Sequence, residues 1–97
     1  MYDCRIEKRV WREPDHSSGC TVLYYELEHE VPPKVGMEVN DGRWYSGPLT
    51  FVIWNVDDER FLCRAEDEYP VSERDYDYSY EWIVENFLLQ GWRTADA

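Results

Sequence analysis

Positive charge is scarce in this chain. Ten Lys and Arg stand against twenty-one Asp and Glu, leaving a formal charge of −11. A field of that sign opposes direct contact with nucleic acid and with anionic lipid, and it favours basic partners. Cysteine is also scarce. Cys4, Cys20 and Cys63 are an odd number, and none belongs to a C-x-x-C pair. Together with His16 and His29 they match no compact zinc spacing, so no metal is expected. Cys4 and Cys63 read as small buried hydrophobes, while Cys20, beside Ser17-Ser18-Gly19, is the candidate for exposure. The chain lacks a glycine-rich phosphate loop and any catalytic or cofactor motif, so neither a cofactor nor an enzyme is expected. No apolar run approaches the ~20 residues of a membrane span. The opening Met1-Tyr2-Asp3-Cys4-Arg5 lacks the basic and apolar regions of a signal peptide. The expected setting is the cytoplasm, with reduced thiols.

Aromatic residues are what the chain has in plenty. Five Trp, eight Tyr and three Phe offset a modest supply of Leu and Ile. Ninety-seven residues make one domain, 1–97, with a thin core in which each large ring matters. Acid is unevenly spread. Residues 1–56 carry nine acids against six bases, whereas 57–85 carry eleven against three.

From Tyr2 to Val10 the even positions Tyr2, Cys4, Ile6, Lys8 and Val10 share one face of an expected strand. Arg5, Lys8, Arg9 and Arg12 make it the one basic element. Glu13–Gly19 is dense in turn formers. The next run alternates most clearly. Thr21, Leu23, Tyr25, Leu27, His29 and Val31 face one way, and Cys20, Val22, Tyr24, Glu26, Glu28 and Glu30 the other. A one-residue slip would bury three glutamates, so the register is strongly set. Antiparallel pairing of these two strands is expected, with bases of the first opposite glutamates of the second. Pro32-Pro33 ends the run. A short strand follows around Val35–Val39, then a turn at Asn40-Asp41-Gly42 and a further short strand at Trp44-Tyr45.

Pro48 to Ala65 reads as a central hairpin turning at Asp57-Asp58-Glu59. Seven of the eight residues from Leu49 to Val56 are apolar or β-favouring. The first strand is therefore expected to be buried on both faces, with Phe51, Ile53, Phe61 and Cys63 towards the core. An acidic loop, 66–74, comes next. Asp75 to Trp82 alternates as a strand would, yet Tyr80, Ile83, Val84, Phe87, Leu88 and Gly91 follow a helical template. A helix is expected from near Ser79, which can cap it, with Tyr78 and Ile83 at hydrophobic-staple spacing. Gly91 is its expected stop, Trp92 is placed to fold back, and Thr94–Ala97 should fray.

The expected fold is α+β: a small antiparallel twisted sheet or partly open barrel of four or five strands with one C-terminal helix. Pro32-Pro33, Val35-Gly36-Met37-Glu38-Val39, Val52-x-Trp54 and Phe61-x-Cys63 resemble small bacterial and phage proteins of unknown function with SH3-like β-barrel character. That resemblance spans roughly residues 22–65 and implies a fold but no active site.

If the chain has a site, the expected place is Glu66, Asp67, Glu68, Asp75, Tyr76, Asp77, Tyr78 and Trp82. Tyr and Trp are common interface anchors, and flanking carboxylates steer a basic protein partner. The plainer alternative is that these aromatics are core and the acids solvated. The expected function is a non-enzymatic acidic interaction module, with imitation of nucleic-acid charge as a specific version. The rival is a small-molecule-binding or enzymatic barrel with an aromatic pocket around Trp54, His29 and Tyr25. A homodimer through an exposed sheet edge is a third expectation.

Overall fold

The computed structural model describes residues 1–73 and 76–95. In chain order the elements are β1 (Tyr2–Trp11), β2 (Cys20–His29), β3 (Glu38–Asn40), β4 (Tyr45–Asn55), β5 (Arg60–Ala65), β6 (Val71–Glu73), β7 (Tyr76–Tyr78), α1 (Tyr80–Leu89) and β8 (Arg93–Thr94). Six strands form one sheet in the order β3-β4-β5-β1-β2-β8, and β6 and β7 form a separate two-stranded ribbon. The fold is α+β, as expected, but the sheet is open. β3 and β8 are its edges and do not pair, so no barrel closes.

The alternation of β1 and β2 sets their pairing. They run antiparallel from Tyr2 opposite His29 to Trp11 opposite Cys20. Arg5 lies opposite Glu26, with the guanidinium 3.9 Å from the carboxylate, and it also rests on the Tyr24 ring at 3.9 Å. One pairing departs from the antiparallel expectation. β1 runs parallel to β5, with Ile6 opposite Cys63. A parallel neighbour needs a long crossover, and the chain supplies it through β2, β3 and β4. This places β1 in the middle of the sheet. Cys4, Ile6, Lys8 and Val10 are buried on one face of it.

The core lies between that face and α1. Ile6, Val10, Leu23, Leu49, Cys63 and Ala65 meet Ile83 and Phe87 of the helix. Trp44 and Trp92 pack edge to face at 5.1 Å, and Tyr25 and Phe87 extend the cluster. The helix begins where its cap chemistry places it. The Ser79 side chain accepts from the Trp82 N–H at 3.1 Å. It ends in a Schellman arrangement: the Trp92 N–H donates to Phe87 O and the Gly91 N–H to Leu88 O. Gly91 takes φ 102°, which suits glycine alone without strain. Trp92 is thereby turned back into the core. Leu88 belongs to the helical template but stays exposed. The chain does not fray at Thr94. Arg93 and Thr94 pair with Tyr24 and Leu23, and the Ala95 N–H donates to Val22 O.

The central hairpin forms with its turn at the expected place, but its first strand is not buried on both faces. Leu49 lies opposite Ala65 and Phe51 opposite Arg64, so Thr50 is an extra residue and the strand bulges. The bulge inverts the facing beyond it. Leu49 and Val52 point to the core, while Phe51 and Ile53 are turned outwards, 51% and 43% exposed. The expected core positions for Phe51 and Ile53 are therefore corrected. Those for Phe61 and Cys63 hold.

Lys8 is the unexpected core residue. Its side chain is fully buried, and its ammonium donates to Glu66 O at 2.9 Å and to Glu68 Oε1 at 3.0 Å. It also sits 5.8 Å from the Phe87 ring centre. The segment 66–68 is consequently laced to the end of β1. The Trp11 N–H donates to Glu68 O and the Glu68 N–H to Arg9 O. Removing one partner of a buried pair costs more than replacing the charge by an apolar chain of similar shape. Glu68→Ala should therefore lower unfolding free energy by about 3 kcal/mol, and Lys8→Met by clearly less. Urea denaturation of both variants measures the difference.

Candidate interaction site

The eight residues expected to form a site divide into two groups. Asp67 and Glu68 are consumed by the fold. Asp67 accepts from the Trp11 indole N–H at 2.9 Å and from Arg64 at 3.2 Å, and Glu68 neutralises Lys8. Glu66 is exposed and lies over Gly47, where an added Cβ would come within 2.6 Å of the Glu66 carboxylate. The rim that carries these residues is braced from the other side. His16 stacks on Trp11 at 3.6 Å, and its Nε2 meets the Tyr69 hydroxyl at 2.8 Å.

The second group stands at the junction of the ribbon and α1. Tyr78 is the last residue of β7, Ser79 is the extended cap residue, and Trp82 lies in the first helical turn. That step brings the Tyr78 and Trp82 rings together, stacked 4.5 Å apart with 29° between their planes. They remain 36% and 48% exposed. Asp77 and Glu81 flank them and are both exposed. Ile83 goes to the core, and Tyr78 stacks on Trp82. Asp75 lies outside the described residues. Tyr76 is placed as a backbone position in β7, opposite Glu73.

Thiol chemistry has no support in the geometry. All three cysteines are free, Cys4 and Cys63 buried and Cys20 half-buried. Burial pushes the Cys63 thiol up to about 12, and burial, with Asp3 nearby, raises Cys4. Neither forms the thiolate that a nucleophile requires near neutral pH. His29 is engaged through Nδ1 with the Val31 backbone. No group of three His, Cys, Asp or Glu able to hold a metal occurs among the described residues. Among the described residues no helix is long and apolar enough to cross a membrane.

The rival aromatic pocket does not assemble. Tyr25 packs against Trp44 and Trp92, whereas Trp54 packs against Phe61 in the hairpin. His29 lines a space of only about 10 Å³ among Leu27, Met37 and Leu49. A larger depression, about 500 Å³, lies on the open face of the sheet between Glu7, Arg9, Phe51, Ile53 and Arg64. The pattern of β4 did not point to it, because nothing in the residue types marks the bulge at Thr50.

Comparison with known proteins adds no relative. The chain matches no protein-family profile, no curated protein and no solved structure.

The buried thiols make a testable contribution to stability. A folded-state thiol raised from 9.0 to about 12 contributes stability that is whole below pH 9 and is lost as pH rises towards 12. Between these limits Cys63 alone should remove roughly 1 kcal/mol per pH unit. Urea unfolding at stepped alkaline pH should show a shallower decline for Cys63→Ala than for the unmodified chain.

Proposed function

We propose that this protein is a non-enzymatic interaction module that takes a basic segment of a partner protein at the junction of β6–β7 and α1. The observation that carries this reading is the exposed Tyr78–Trp82 stack between Asp77 and Glu81. Stacked rings offer a flat apolar platform at low conformational cost, and their faces attract Lys and Arg heads. Carboxylates on either side supply steering and partial neutralisation. Arg12 already rests on the neighbouring Tyr80 ring at 4.3 Å, an intramolecular instance of the same contact.

The long-range field acts in the same direction, since the chain carries a formal −11. A peptide is favoured over imitation of a phosphate backbone. Asp67 and Glu68 are neutralised by Arg64 and Lys8, which leaves an aromatic pair with flanking acids rather than a row of acids. Three free thiols suit a reducing, cytoplasmic setting.

A short synthetic peptide rich in Lys and Arg, titrated into the ¹⁵N-labelled protein, tests the reading. Amide shifts should concentrate on residues 77–82. Affinity should fall by roughly tenfold on raising salt from low to physiological strength, and again by about tenfold in Trp82→Ala. Shifts scattered over every acidic surface, or an affinity indifferent to salt, would overturn it.

A further inference from the structure

Beyond Leu49 the outer edge of β4 is uncovered. β3 pairs with β4 at Asn40–Tyr45 and Glu38–Pro48, and the turn at Lys34–Met37 carries that cover only as far as Leu49. There the Gly36 N–H donates to Leu49 O at 2.7 Å and the Leu49 N–H to Met37 O at 2.8 Å. From Phe51 to Asn55 the strand is held by β5 on one side and, among the described residues, by no strand on the other. Natural edges are blunted with lysine, proline or inward charges. From Phe51 to Asn55 this one has none of them, Pro48 and the bulge at Thr50 both lying before that stretch. Residues 44–56 contain no Asp, Glu, Lys or Arg, in a chain that is 32% charged overall. Phe51, Ile53 and Trp54, the last 50% exposed, stand along the free half.

We infer that this edge pairs antiparallel with the same edge of a second copy of the chain. A two-fold axis at Ile53 makes the contact isologous. The two Ile53 side chains then face each other, and Val52 of each copy lies opposite Trp54 of the other. Aromatic and β-branched residues directly opposed are favourable cross-strand pairs. Past Thr50 the shared ladder stops, because Leu49 and Pro48 are already covered, and the Asp57-Asp58 turn of each copy comes up against that cover on the other. The Lys34–Met37 turn sits at that point. Lys34 is the one base between Arg12 and Arg43, and it is exposed. Each end of the shared ladder thus sets a lysine against two aspartates.

That complementarity selects a second copy as the occupant. Elsewhere on the surface two chains of charge −11 repel. The available edge spans about six residues, or roughly 20 Å, so the interface is at the small end and dissociation belongs in the micromolar range.

Sedimentation equilibrium across micromolar concentrations tests this directly. The expected result is a reversible monomer–dimer equilibrium that Ile53→Lys weakens by at least about tenfold. Lys34→Glu should weaken it several-fold, and combining Lys34→Glu with Asp57→Lys and Asp58→Lys should restore it. Hydrogen exchange on the unmodified chain gives a reading that needs no variant: amides within 50–55 should gain protection as concentration rises. A monomer at every concentration, a dimer indifferent to Ile53→Lys, or protection at 50–55 independent of concentration would overturn the inference. Neither of these measurements involves the Tyr78–Trp82 platform, so failure here and failure of the peptide-binding reading are separable.

Discussion

The fold depends on one buried cation. Lys8 occupies a core position of the central strand, beneath α1, and its ammonium is held by Glu66 O and Glu68 Oε1. A lone ammonium in that place would carry a desolvation cost of several kcal/mol. The chain meets this by bringing the acidic segment after β5 across the end of β1. From there the ribbon and the helix follow. The same ion pair that completes the core thus fixes where the acidic half of the molecule sits, and it engages the Glu68 carboxylate while doing so.

A second local event sets the character of the open face. The single extra residue at Thr50 reverses which side of β4 meets the core. Leu49 and Val52 are kept inside, and Phe51 and Ile53 are turned out beside Arg64 and Arg9. A bulge near a sheet edge commonly re-aims side chains in this way. Here it leaves an uncharged, half-exposed strand edge at one side of the molecule, while the Tyr78–Trp82 platform rises from the separate ribbon. The two surfaces differ in chemistry: one is uncovered strand backbone with apolar side chains, the other a ring pair among carboxylates.

Much of this was legible in the residues. The period-two patterns of Tyr2–Val10 and Thr21–Val31 specify two strands and their facing, and the glutamates of the second forbid a slip. Ser79 and Gly91 mark the helix at both ends because each satisfies terminal backbone groups that nothing else nearby can reach. The stretch 75–82 was recognisable as a candidate site from its composition, though the stacking of Tyr78 on Trp82 was not. Asp67 and Glu68 were equally plausible members of it, and only their distances to Arg64, Trp11 and Lys8 remove them.

Local pattern by itself determined β1, β2, the central hairpin and the helix, the inward faces of β1 and β2, and the excess of acid, since those depend on residues a few positions apart; the strands β6, β7 and β8 and the facing of β4 were not legible in it. Tertiary structure decided the parallel pairing of β1 with β5, the burial of Lys8, the bulge at Thr50 and the capture of the chain end by β2. Each of these joins residues remote in sequence or depends on which neighbour a strand acquires. A lysine in an alternating strand looks the same whether its partner is water or a carboxylate sixty residues away. An apolar run looks the same with its register shifted by one. What separates those cases is the geometry of the assembled sheet, where an unpaired charge or a misdirected side chain has a cost that no short stretch of sequence expresses.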